Sequence, residues 1–297
     1  MNLEWKGIFP ALTTPFNNHD EIDEEVFRKN LDAQLQAGVN GIVLGGTLGE
    51  ASVLNLPEKE RLVKLATEHL SSRLPVILNI AEGSTKEAIR QVGLAQDWGA
   101  SGLMLLPPMR YKPDHRETIS WFRAIASSTD LPIMIYNNPV DYKTEVTPDM
   151  FGELVDTQNI QAVKESTRDV TNVSRMRNRF GNRFSIMCGV DTLAMEELCL
   201  GADGWIAGLV CAFPNETVAL FNLIKDGEIE KATRLYRWFM PLLELDIHPK
   251  LVQYIKLAQS VTGLGTEFVR PPRLILTGEE REQILKVIRD TIARKPF

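Results

Sequence analysis

Three residues of this 297-residue chain have types and settings that could do chemistry together. Lys164 stands at the end of "IQAVKES", an otherwise apolar run. Read as a β-strand, the run sets Lys164 on the same face as Ala162. An amine in apolar surroundings loses hydration and its pKa falls. The neutral form can attack a carbonyl carbon and give a Schiff base. The protonated imine then draws electrons from the neighbouring bond. Tyr136 stands at the end of "PIMIYNN", on the face of Met134 and Pro132. A phenol beside such a lysine could carry a proton to and from a departing oxygen. Thr47, in "GIVLGGTLGEAS", could hand a proton to that phenol, and Gly45 and Gly46 would let backbone N–H groups point at a carboxylate. Each residue also has a plainer reading. A lysine at a strand end can snorkel to a rim or pair with an acid. A tyrosine can sit in a core with its hydroxyl satisfied, and a threonine can simply make a turn.

The elements that must position these groups show in the apolar pattern. Eight short runs recur, at 7–16, 41–46, 75–80, 102–108, 132–138, 160–166, 184–189 and 204–209. They are continuously apolar rather than alternating, as parallel strands buried on both faces are. Amphipathic helices fill the gaps. Residues 23–38 begin with acids and end at a glycine, 56–73 carry Pro57 in the first turn, and 84–100 open on a Ser-Thr cap. Eight such units predict a (β/α)8 TIM barrel over 1–212, with residues 213–297 a helical part packed on it. An open doubly wound sheet is the rival, but the first strand lacks the GxGxxG dinucleotide turn. In a barrel, strand ends and the loops after them carry reactive groups, and Thr47, Tyr136 and Lys164 all fall there.

Composition narrows the partners. The net charge of −6 argues against nucleic acid and anionic membrane. No run is long enough to span a bilayer, and no basic start precedes an apolar stretch, so a cytoplasmic protein is expected. Cys188, Cys199 and Cys211 form no CxxC, which predicts buried reduced thiols rather than disulfides or zinc. The four histidines show no ligand spacing, so no metal site is expected.

Taken together these residues resemble the dihydrodipicolinate synthase/N-acetylneuraminate lyase family of Schiff-base aldolases. The likeness runs over nearly the whole chain and rests on "GGTLGE", "YNNP" and "VKES", three motifs on three strand ends in order. The resemblance implies a homotetramer that works without metal or organic cofactor, through a covalent lysine Schiff base. It implies that Lys164 is that lysine, Tyr136 the proton shuttle and Thr47 its relay. The carboxylate of a small 2-oxo acid would rest on the loop at Gly46, Thr47 and Leu48, with Ile206 lining the site. Gly189 and Asp191 in "CGVDT" could meet a substrate hydroxyl. The sequence also departs from the lysine-pathway synthases. Leu48 replaces a hydroxyl residue, Met109 stands where a tyrosine is lent between subunits, and Asp141 stands where an arginine holds the second substrate. "YNNPVDYK", "WFMPLLELD" and "VRPPRLIL" are similar to the Δ1-pyrroline-4-hydroxy-2-carboxylate deaminases of hydroxyproline catabolism. The expected reaction is therefore dehydration and deamination of that cyclic imine to 2-oxoglutarate semialdehyde. Pyruvate-dependent aldolase or lyase chemistry of the same family, and a non-catalytic oxo-acid sensor, are the alternatives.

Overall fold

The computed structural model describes residues 3–296. Its strands are β1 (Gly7–Pro10), β2 (Ile42–Leu44), β3 (Val76–Ile80), β4 (Gly102–Leu105), β5 (Ile133–Asn137), β6 (Ile160–Glu165), β7 (Ser185–Cys188) and β8 (Gly204–Ala207). Each lies inside one of the eight apolar runs. All neighbours pair in parallel, in the order β1-β8-β7-β6-β5-β4-β3-β2. A parallel bridge between Ala11 and Val43, with Leu12 N–H donating to Val43 O at 2.9 Å, joins β1 to β2 and completes the ring. This is the expected TIM barrel.

The helices are α1 (Glu24–Ala37), α2 (Leu56–Leu70), α3 (Thr85–Asp97), α4 (His115–Ala126), the single turn α5 (Pro139–Tyr142), α6 (Pro148–Glu153), α7 (Thr171–Phe180), α8 (Ala194–Cys199) and α9 (Pro214–Lys225). Then come α10 (Ile229–Leu243), α11 (Leu251–Thr262) and α12 (Gly278–Ala293). Their ends follow the caps in the sequence. Asp23 caps α1, Asn55 and Glu58 form a capping box on α2, and Ser84 caps α3. The pattern carried α2 to residue 73, but Ser71 takes a left-handed conformation and stops it at Leu70. Pro214–Lys225, read from sequence as the head of the C-terminal part, packs on β1 and α1 as the eighth barrel helix. The C-terminal part is thus α10 to α12.

Two apolar clusters result. Phe9, Val43, Ile77, Met104, Met134 and Met187 point into the barrel, and a larger shell fills the space between sheet and helices. A packed interior leaves only the carboxyl ends of the strands open to chemistry. Cys188 and Cys211 are buried, whereas Cys199, at the end of α8, is exposed, against expectation. Among the described residues no helix is long and apolar enough to cross a membrane.

Candidate active site

Parallel register sets Tyr136 on β5 directly beside Lys164 on β6. Alternation works as read: Met134 and Tyr136, and Ala162, all belong to the interior cluster. Both polar residues are buried, Lys164 at 7% exposure and Tyr136 at 8%. The amine lies 4.1 Å from the centre of the Tyr136 ring. Burial lowers the Lys164 pKa, opposed first by Asp246, then by Tyr142 and Asp191. Burial also pushes the Tyr136 phenol up to about 12. At neutral pH the pair therefore offers an amine eased toward its nucleophilic form and a phenol that keeps its proton.

The loop after β2 is held from three sides. Asn79 Nδ2 donates to Gly45 O at 2.9 Å, and Thr14 Oγ1 donates to Gly49 O at 2.7 Å. Glu50 turns inward with a φ of 56° and forms a fully buried ion pair with Lys256 of α11. Among the described residues no acceptor meets the N–H groups of Thr47 and Leu48. Two free amides on a fixed loop suit an anion. The Thr47 hydroxyl lies 2.5 Å from the hydroxyl of Tyr142, not from that of Tyr136. The direct Thr47–Tyr136 contact expected from sequence is therefore not made, and Thr47 meets Tyr142 instead. Tyr142 meets Tyr136 edge to face, with ring centres 5.5 Å apart. The Tyr136 hydroxyl itself accepts from Asn138 Nδ2 at 3.2 Å, and that amide also holds Asp141 Oδ2 at 2.7 Å. Leu48 lines the cavity but is 4% exposed and packs into the outer core, so it anchors the loop as well as walling the site.

From β7 and β8, Gly189, Val190 and Ile206 line the same cavity. Gly189 touches the lysine itself. A β-carbon there would come within 2.0 Å of Ser166 Oγ and 2.7 Å of Lys164 Cγ. Asp191 does not fill the role expected of it. It is fully buried and accepts from Trp205 Nε1 at 2.9 Å, Gly208 N at 3.1 Å and Leu209 N at 2.8 Å. Its oxygens are spent on fixing the loop after β8, so it faces Lys164 as a charge and not as a substrate contact.

The cavity holds about 80 Å³ and admits a small acid. A larger groove of about 1110 Å³ lies outside, between the starts of α3 and α4, and contains neither Lys164 nor Tyr136. Residues missed in the sequence also reach the cavity: Ser166, Arg168, Asn138, and from the C-terminal part Asp246, Ile247 and Leu251. Ser166 and Arg168 follow Lys164 by two and four positions, and that spacing was a signal. The C-terminal residues gave none, because a helical pattern does not say which strand ends it covers.

Comparison with known proteins supplies the frame for this geometry. The model of the Dihydrodipicolinate synthetase family matches residues 4–291. The chain belongs to the dihydrodipicolinate synthetase family. It is 31% identical to a 4-hydroxy-tetrahydrodipicolinate synthase of Methanothrix thermoacetophila over 288 residues, 96% of either chain. Among solved structures, dihydrodipicolinate synthase from Aquifex aeolicus superposes with a TM-score of 0.92 at 27% identity, covering 99% of both chains. A prophage protein of the family from E. coli K12, in complex with pyruvate, gives 0.90 at 26% identity, covering 97% of this chain and 99% of that one. The fold and a lyase activity of this family follow.

Proposed function

We propose that the protein forms a Schiff base through Lys164 with a small 2-oxo acid or its cyclic imine. Within that class we assign it dehydration and deamination of Δ1-pyrroline-4-hydroxy-2-carboxylate. The observation that carries the class is the buried amine 4.1 Å from the Tyr136 ring in one cavity with the free amides of the Thr47 loop. Asp141 and Asp246 on the cavity wall carry the finer assignment. Two carboxyl groups disfavour a second anionic substrate and suit one with hydroxyl and nitrogen opposite its single carboxylate.

Lys164 adds to the C=N carbon, and the ring carbon–nitrogen bond breaks to leave a lysine imine and a free amine. Tyr136 first gives its proton to the departing ring nitrogen and then, as the phenolate, takes the proton from C3. The C4 hydroxyl departs as water, the double bond migrates toward C5, and hydrolysis releases ammonia and 2-oxoglutarate semialdehyde. The electron sink is the lysine imine, so the scheme uses no metal or organic cofactor. Borohydride reduction during turnover is expected to add the substrate's mass to Lys164, and Lys164→Ala is expected to be inactive. Failure of both would falsify the Schiff-base role.

A second reading has its own support. Two of the three relatives compared above are named synthases, and Arg168 lies at the cavity with no acidic partner among the described residues. Its guanidinium could hold a second carboxylate and so serve a pyruvate-dependent aldolase or synthase. Ammonia release from the cyclic imine supports deamination; consumption or release of pyruvate in a coupled assay supports the second reading.

A further inference from the structure

Asp246 enters the barrel mouth from outside the barrel. It belongs to the single turn Glu244–Ile247 between α10 and α11 and lines the cavity with Lys164, Tyr136 and Ser166. Its Oδ1 lies against the backbone of the loop after β8, where a β-carbon on Gly208 would stand 2.0 Å away. Among the described residues no N–H, hydroxyl or cation comes within bonding distance of either oxygen. The neighbouring acids differ. Asp191 is saturated with N–H donors, and Asp141 takes the amide of Asn138. Ser166 supplies an independent second observation. Its hydroxyl is buried at 2% exposure, lines the same cavity and makes no hydrogen bond of good geometry, facing only the Tyr136 phenol, whose pKa it lowers. Buried polar groups are almost always satisfied. A buried unsatisfied hydroxyl and a half-buried carboxyl without a donor, both lining the same small space, mark the place of a polar ligand atom.

We propose that Asp246 is the acid that protonates the leaving hydroxyl in the dehydration step, with the Ser166 hydroxyl holding the same oxygen. The assignment rests on the deaminase reading above. In the step itself, the lysine enamine left by loss of the C3 proton pushes its electron pair toward C4. The C4–O bond breaks as that oxygen takes the Asp246 proton. Water leaves, C3=C4 forms, and Asp246 becomes a carboxylate that solvent reprotonates.

The charges around Asp246 fit an acid that begins protonated. Burial raises its pKa well above the ordinary carboxylate range, Asp191 and Asp141 push the same way, and Lys164 opposes them. Lys164 and Asp246 thus compete for one proton. When it sits on Asp246, the amine is free to attack.

The test compares wild type with Asp246→Asn, which keeps the shape and removes the acid. Three rates are measured: borohydride trapping of pyruvate on Lys164, exchange of the substrate's C3 hydrogens with D2O, and ammonia release. The variant is expected to trap and exchange within about threefold of wild type. It is expected to lose about 10²- to 10⁴-fold in ammonia release, the usual share of a general acid. Asp246→Ala is expected to recover part of that loss with added formate. The pH limb of trapping, which rises as Lys164 loses its proton, is expected to move to lower pH in Asp246→Asn, because the group that favours the ammonium is gone. Asp191, Tyr142 and Cys188 remain as the other titratable groups acting on that lysine, with Tyr136, Asp141 and Arg168 on the same cavity wall. Equal ammonia release by both proteins overturns the acid role alone. Parallel loss of trapping and exchange overturns it too, since Asp246 then only positions Lys164. A wild type that releases no ammonia from the imine, while making or consuming pyruvate, overturns the reading and the acid role with it.

Discussion

Gly189→Ala tests how tightly the candidate nucleophile is held. The new β-carbon would lie 2.0 Å from Ser166 Oγ, 2.7 Å from Lys164 Cγ and 2.9 Å from Glu165 O. The Ser166 hydroxyl makes no hydrogen bond of good geometry and can swing away at little cost. The lysine stem and the β6 carbonyl cannot. Carbon atoms settle roughly 3.5–4.0 Å apart, so Lys164 must move by about 1 Å. Overpacking of this kind costs about 1–3 kcal/mol. At roughly 2.1 cal/mol/K per residue, that lowers the Tm of a chain this long by about 2–5 °C. The same displacement is expected to slow imine formation by about 10²-fold. Borohydride trapping of pyruvate, followed by the mass of the Lys164 peptide, measures it directly. The double variant Ser166→Ala/Gly189→Ala removes the hydroxyl clash and leaves the lysine clash, so it is expected to stay slow. Trapping within twofold of wild type in Gly189→Ala, or full recovery in the double variant, would refute the placement of Lys164 argued here.

Two further perturbations probe the supports of the site. Lys256→Met leaves the Glu50 carboxylate buried with only the Arg270 N–H at 3.1 Å and Arg273 at 3.8 Å; a broken buried pair costs about 3–5 kcal/mol, and a change in denaturation free energy below about 1 kcal/mol would show the pair to be dispensable. Tyr142→Phe removes the partner of the Thr47 hydroxyl, and kcat is expected to fall by about 10²-fold while pyruvate trapping persists; an unchanged kcat would mean that the Thr47–Tyr142 hydrogen bond plays no part in turnover.

The barrel was legible because each strand is a continuous apolar run followed by a break. The neighbourhood of Lys164 and Tyr136 was legible too, since alternation fixes the face and chain order fixes the strand. What lay outside the sequence was any contact made by a loop folding back. Tyr142 is six residues beyond Tyr136, on the turn Pro139–Tyr142, and only the path of that turn brings its hydroxyl to Thr47. Asp191 was misjudged for the same reason. A Gly–x–Asp at a strand end suggests a substrate contact, but Gly208 and Leu209, seventeen and eighteen positions later, bring the N–H groups that occupy it.

The C-terminal part looked like packing and proves to place two charged groups at or beside the site. Its turn at Asp246 sets a carboxyl in the same cavity as Lys164, and its helix α11 sets Lys256 on Glu50, three residues beyond Thr47. Neither residue touches a barrel strand in sequence, yet one biases the proton on the amine and the other fixes the loop with the free amides. The barrel alone would offer Lys164 with Asp191 and Asp141 as its near acids and a Glu50 left buried without its cation. A segment some eighty residues past the lysine thus forms part of the cavity wall. A barrel-end motif read in isolation can identify the electrophile chemistry but not the leaving group it serves.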